Sequence, residues 1–301
     1  MDRREFLRLT GTAALVASWN PFATLRAFGA EGAPDVAVAR NAGPAELVRA
    51  AVNALGGMNE FVSRGDIVVV KPNIGWDRLP EQAANTNPDI VAELVRMCLE
   101  AGAKKVKVFD NTCNRARRCY LRSGIQKAAK KAGADVSFVH ERKFRDVAIP
   151  EGVELKSWPF YRDALEADAI INVPIAKHHS MARLTIGLKN IMGIIGGDRG
   201  KIHNRFPPKI VDLNTVVKPR LTVVDAYRIL VANGPQGGNP RDVRMPRVVI
   251  ASTDRVAADS YAATLFGLTG RDLDYLVEAY RRGMGEIDLD KLVVREIDLA
   301  V

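Results

Sequence analysis

Between Asn172 and His203 the chain concentrates side chains that bind anions and exchange protons. The segment reads Asn172-Val-Pro174-Ile-Ala-Lys177-His178-His179, then Arg183, Leu184-Thr-Ile-Gly187-Leu-Lys189-Asn190-Ile-Met-Gly193, Gly196-Gly-Asp198-Arg199 and His203. Three of the four histidines of the chain lie here. Ammonium and guanidinium groups are the natural partners of carboxylate and phosphate. Imidazoles ordinarily titrate near neutrality and can exchange protons with a bound molecule. Lys177, His179 and Lys189 are therefore the candidate catalytic centre. Lys71, Asn73, Asn190, Arg199 and His203 are candidates for holding or orienting a small anionic substrate. Thr185 to Ile195 has the apolar spacing of a buried helix, and a buried lysine needs a partner or a wet site.

A second chemistry is open to the same neighbourhood. Asp110, Asp225 and Asp254, with Asp259 nearby in sequence, could hold a divalent metal, His179 supplying a nitrogen. The chain has no H-E-x-x-H, no G-x-S-x-G elbow, no P-loop and no G-x-G-x-x-G after a strand. Zincin, α/β-hydrolase and dinucleotide chemistries are thus unsupported. The 3 cysteines include no C-x-x-C pair, so an intrinsic iron–sulfur cluster is not expected. Cys98 fits an apolar helical pattern. Cys113 and Cys119 either close a local disulfide or leave Cys113 as a thiol of the site.

The elements that must position these groups alternate strand and helix. Runs at Asp66–Val70, Lys105–Phe109, Val136–Val139, Ala169–Val173, Arg220–Val224 and Val248–Ala251 read as strands. Helical spacing runs from Asp89 to Ala101 and from Leu121 to Ala132, and an amphipathic helix is expected over Asp272–Arg282. The fold class is α/β: a mostly parallel sheet with helices on both faces. In such sheets ligands bind at the carboxyl ends of the strands. That rule selects Lys71 and Asn73, Asp110, Lys177 and His179, Asp225, and Ser252 with Asp254, although Asp254 also fits a helix N-cap. Phe144–Trp158 reads as an inserted hairpin. Gly234–Pro240 is a glycine- and proline-rich loop long enough to cover a site.

The 301 residues, 47% hydrophobic and 26% charged, exclude a disordered chain. The N-terminus, Met1-Asp-Arg3-Arg4-Glu-Phe-Leu-Arg8, is similar to the twin-arginine signals read by the translocase that exports folded proteins. A short apolar stretch and Ala27-Phe-Gly-Ala30 follow, so residues 1–30 are expected to be a leader and 31–301 the folded domain. The expected destination is periplasmic or otherwise extracytoplasmic. The leader accounts for two units of the net charge of +9. No apolar run is long enough for a transmembrane helix. The remaining positive charge is not a nucleic-acid signature, because aromatics are only 6% and do not interleave with basic residues.

Lys71-Pro-Asn73, Pro174…Lys177-x-His179, Lys189-Asn190-x-x-Gly193, Arg199…His203, Asp225, Gly234-Pro…Gly237 and Ser252-Thr-Asp254…Asp259 together resemble the bacterial and archaeal family numbered 362 among domains of unknown function, DUF362. The resemblance covers about Asp66 to Leu268. Some relatives carry an added two-cluster ferredoxin module, whose cysteines this sequence lacks. Two functions fit these observations. One is an exported enzyme using acid/base and metal-assisted chemistry on a small carboxylate or phosphate. The other is a periplasmic protein that binds or delivers a metal, cluster or cofactor to a redox partner.

Overall fold

The computed structural model describes residues 32–300, so the proposed leader lies outside the described residues. The first half of the described chain contains β1 (Val36–Arg40), α1 (Pro44–Ala54), β2 (Ile67–Pro72), α2 (Pro88–Glu100), β3 (Lys105–Val108), α3 (Ala116–Arg122), α4 (Ile125–Lys131) and β4 (Asp135–Val136). An antiparallel pair, β5 (Phe144–Ala148) and β6 (Ser157–Tyr161), forms the expected hairpin. Next come α5 (Arg162–Leu165), β7 (Ala169–Val173), β8 (Ile175–His179), β9 (Arg183–Thr185), α6 (Gly187–Asn190) and α7 (Phe206–Val216). The chain ends with β10 (Leu221–Leu230), β11 (Val243–Arg244), β12 (Val248–Ser252), α8 (Arg255–Thr264), α9 (Asp274–Arg281) and β13 (Val294–Asp298).

The central strands are β-branched along their length because helices cover both faces. Val69, Ile170, Val224 and Ile250 pack against α7, α8 and α9 on one face. Val68, Val70, Ile171, Val223 and Val249 pack against α1, α2 and α4 on the other. Helix α2 begins where Asn87 accepts a hydrogen bond from the Asp89 amide at 2.9 Å, with Pro88 in the first turn. The helix expected over Leu121–Ala132 is instead two, α3 and α4. They are separated at Ser123-Gly124, where Gly124 adopts φ +75°.

The order across the main sheet is β13-β1-β12-β10-β7-β2-β3-β4. Neighbours from β10 to β4 all pair in parallel, whereas β12 runs antiparallel to both β10 and β1. This reversal decides which strand ends share a cleft. Lys71, Asp110 and the β8 residues follow the parallel direction. Ser252, at the end of β12, pairs with Thr222 at the start of β10, on the opposite edge. Strand β8 pairs in parallel with the far end of β10, then turns into antiparallel β9, extending the sheet over the carboxyl edge.

Candidate functional site

At that edge lies a cavity of about 320 Å³, whose lining includes Asn73, Asp110, Lys177, His179, Lys189, Asn190, Arg199 and His203. Eight of the sequence candidates therefore meet in one place. Lys177 and His179 are two residues apart on β8 and so face the same way. The Lys177 ammonium is buried and donates to the Ala84 carbonyl and, at 3.2 Å, to Asn73 Oδ1. Both acceptors are neutral. Burial lowers its pKa to about 7.

Lys189 reaches the cavity from α6, shorter than the helix expected over Thr185–Ile195. Asp259 of α8 fixes the start of α6: its carboxylate accepts from the Gly187 amide at 2.7 Å and the Leu188 amide at 2.9 Å. Glycine is required at 187, because a Cβ there would lie 2.6 Å from Asp259 Oδ1. Burial raises the pKa of Asp259 to about 7, while the two amides act in the opposite direction. Lys189 Nζ lies 3.1 Å from His203 Nε2 and 5.2 Å from the centroid of the Phe206 ring. Burial lowers the pKa of Lys189 to about 8.

The imidazoles behave differently from the acid/base pair expected of them. His179 Nδ1 accepts from the amides of Met181 at 3.1 Å and Ala182 at 3.3 Å. The proton of the neutral ring is thereby assigned to Nε2, which leaves a donor and no lone pair for a metal. Burial, reinforced by Lys189, lowers the His179 pKa to about 2. His179 is thus an uncharged hydrogen-bond donor at every physiological pH. His203 stacks between His179 and Phe206, with centroid separations of 5.5 and 5.7 Å. Its pKa is also lowered, first by burial and then by Lys189. The 3.1 Å Lys189–His203 contact lets the two groups share a proton.

Arg199 directs its guanidinium at backbone carbonyls, Asn111 at 2.6 Å and Thr112 at 2.7 Å. It brings a positive charge to the cavity and holds the loop after β3. Lys71, expected to touch substrate, lies instead beneath the wall, fully buried, with its ammonium 2.9 Å from Asp110 Oδ1. Asp110 Oδ2 accepts from the Ile74 amide at 2.5 Å. Gly193 covers this pair: a Cβ there would lie 1.7 Å from Asp110 Oδ1. Asn190 uses its amide for Lys71, Asn73 and Asn172, so it orients neighbours more than ligand.

The carboxylates proposed as metal ligands are not brought together. Asp225 is buried beside α2, accepting from the amides of Asn87 at 2.7 Å and Tyr227 at 3.0 Å. Burial raises its pKa to about 7. Asp254 caps α8 through the Val256 and Ala257 amides and also holds the Glu286 amide. It follows β12, so the reversed strand carries it to the opposite edge. Only Asp110 of the three reaches the cavity, and Lys71 already neutralises it. Among the described residues no group of three or more His, Cys, Asp or Glu side chains could hold a metal ion. Among the described residues the cavity thus offers no cluster of three such donors for the metal reading.

Cys98, Cys113 and Cys119 are all free, so the local disulfide does not form. Cys113 is exposed and lines the cavity, whereas Cys119 is buried and its pKa is raised by burial to about 11. Thr185, Met192 and Trp76 also line the cavity although the sequence gives them no role, and Pro235 joins them. Pro235 belongs to the Gly234–Pro240 loop, which the sequence marks as long enough to cover a site. Thr185 lies within the segment from Asn172 to His203, but only its place at the end of β9 brings it to the cavity.

A sequence profile of the family described as a domain of unknown function (DUF362) matches residues 68–264. A thylakoid-associated protein of Synechocystis sp. is 27% identical over 245 residues, covering 79% of this chain and 74% of that protein. Lactate racemase apoprotein from Thermoanaerobacterium thermosaccharolyticum superposes with a TM-score of 0.46 at 10% identity, over 76% of this chain and 56% of that one. A Thermotoga maritima protein gives a TM-score of 0.39 at 14% identity, over 74% of this chain and 59% of that one. The chain spans less than two thirds of the length of either solved chain. The profile match runs from β2 to α8 and takes in Lys71, Lys177, Lys189 and Arg199, and on that match the chain belongs to the DUF362 family.

Proposed function

We propose that this protein is an exported enzyme that binds a small carboxylate- or phosphate-bearing substrate in the cavity and moves a proton with Lys177 and Lys189. One observation carries the reading: two buried lysines face one cavity, neither has a carboxylate partner, and their pKa values fall to about 7 and about 8. A protonated lysine attracts an anion, and a neutral one is a base. Near neutrality the site can hold one of each. Arg199 contributes positive charge, His179 Nε2–H an uncharged donor, and His203 a second station for the Lys189 proton. Incubation of the full chain with a panel of small carboxylates in D2O tests this. Deuterium is expected at a carbon next to a carboxylate, with loss of exchange in Lys177→Met and Lys189→Met and inhibition by sulfate. No exchange across the panel, with sulfate binding intact, would reduce the protein to an anion binder.

The export part of the proposal rests on Arg3-Arg4 and the apolar stretch that follows. No helix of the described residues is long and apolar enough to cross a membrane. The relative described as thylakoid-associated is in keeping with a destination at a membrane. A chain carrying Arg3→Lys and Arg4→Lys is expected to stay in the cytoplasm, and an unchanged distribution would refute export by the twin-arginine translocase.

A further inference from the structure

Cys113 takes no part in the proton chemistry, yet it is presented to the cavity with unusual support. Its amide donates to the Gly75 carbonyl at 2.8 Å, and the Asn111 amide donates to the Gly193 carbonyl at 2.9 Å. From the other side Arg199 grips the Asn111 and Thr112 carbonyls. The thiol is therefore held on a pinned loop and is exposed, while Cys98 and Cys119 are buried. A second and independent feature points to a ligand. Thr185 is 4% exposed, lines the same cavity, and its Oγ1 has no hydrogen-bond partner. A buried hydroxyl left unpaired is costly and gains a partner when an acceptor oxygen arrives.

We infer that Cys113 is a nucleophile of the anion site, capturing a small carboxylate whose adjacent carbon is electrophilic while Lys177, Lys189 and Thr185 hold the carboxylate. The inference rests on the anion-binding part of the proposed function. In the step, the thiol gives its proton to solvent and a sulfur lone pair forms the S–C bond. The bond from that carbon to its leaving group breaks, and the leaving group departs with the electron pair. Iodoacetate reproduces this chemistry with iodide as the leaving group, and iodoacetamide is its neutral counterpart.

The test uses the full chain, equal concentrations of the two reagents, and mass spectrometry of the peptide containing Cys113. In the urea-unfolded chain iodoacetamide is expected to react faster. In the folded chain iodoacetate should lead by on the order of tenfold, because a cationic cavity raises the local concentration of an anion. High salt or added sulfate should erase that lead without slowing iodoacetamide to the same degree. Cys113→Ser should lose the adduct. The salt and sulfate arms need no variant, so a variant that fails to fold leaves the test intact. If the folded chain keeps the reagent order of the unfolded chain, the inference is wrong. If sulfate still raises the melting temperature in that case, only the role of the thiol falls. If sulfate neither stabilises nor protects, the anion site falls with it.

Discussion

The affinity of the cavity for an anion should collapse as pH rises, and sulfate is the probe that shows it, being a dianion throughout the neutral range. Lys177 must be protonated to attract sulfate, and its pKa lies at about 7 because its ammonium is buried on two neutral acceptors. Lys189, with a pKa of about 8, must also be protonated to hold this dianion, whereas a monocarboxylate needs one ammonium and leaves the other lysine free as the base. Each pH unit above a required pKa costs ~1.4 kcal/mol. At about pH 9, Lys177 contributes two such units and Lys189 one, for a total of ~4 kcal/mol, or about a thousandfold in affinity relative to about pH 6. Titration calorimetry of the full chain across this range gives the curve directly. The slope of log Kd against pH should rise from near zero to one and then approach two. Proton uptake on binding should be measurable in buffers of different ionisation enthalpy near neutrality. Affinity that stays flat to about pH 9 would refute the argument, because it would mean that ordinary, fully charged lysines bind the anion.

Four other outcomes follow from particular contacts. Lys177→Met should be more stable than the wild type by a few kcal/mol below about pH 7. The wild type should recover as pH rises from there toward the unfolded lysine value, because the unfolded chain binds the extra proton in that window; urea melts across pH check the sign. Gly193→Ala places a Cβ against Asp110 and Lys71 and should cost ~3 kcal/mol, read by denaturant unfolding. Asp259→Ala strands the Gly187 and Leu188 amides and should cost ~3 kcal/mol while also weakening sulfate binding, since α6 carries Lys189. Asp254→Ala, on the opposite edge, should cost ~2 kcal/mol through the lost cap and leave sulfate affinity unchanged.

Local chemistry wrote much of this molecule into its sequence. Strands β2 and β7 are readable as buried, largely β-branched runs, and β3 from its alternation of Lys and Val. The rule of carboxyl ends then brings Asn73, Asp110, Lys177 and His179 to one cavity, with Lys71 beneath its wall. What could not be read was direction and distance. Nothing in Val248–Ser252 announces that β12 runs against its neighbours, so Asp254 was placed in the wrong cleft. Helix α6 starts at Gly187 rather than Thr185 because Asp259, 72 residues away, binds its first amides. The Nδ1 contacts of His179 lie in a turn whose conformation sequence does not specify; they fix its tautomer, while burial and Lys189 keep the ring neutral. The burial that tunes Lys177 and Lys189 is likewise a property of the assembled cavity.

The central claim is that Lys177 and Lys189 titrate near neutrality while facing an anion. Carbon-13 labelling of the lysine side chains, with NMR titration of their Cε resonances in the full chain, measures this directly. Two resonances with midpoints at about 7 and about 8 are expected, assigned by Lys177→Met and Lys189→Met, and both midpoints should move upward by at least about one unit when sulfate is added. A spectrum in which every lysine titrates at the ordinary value, with or without sulfate, would contradict it.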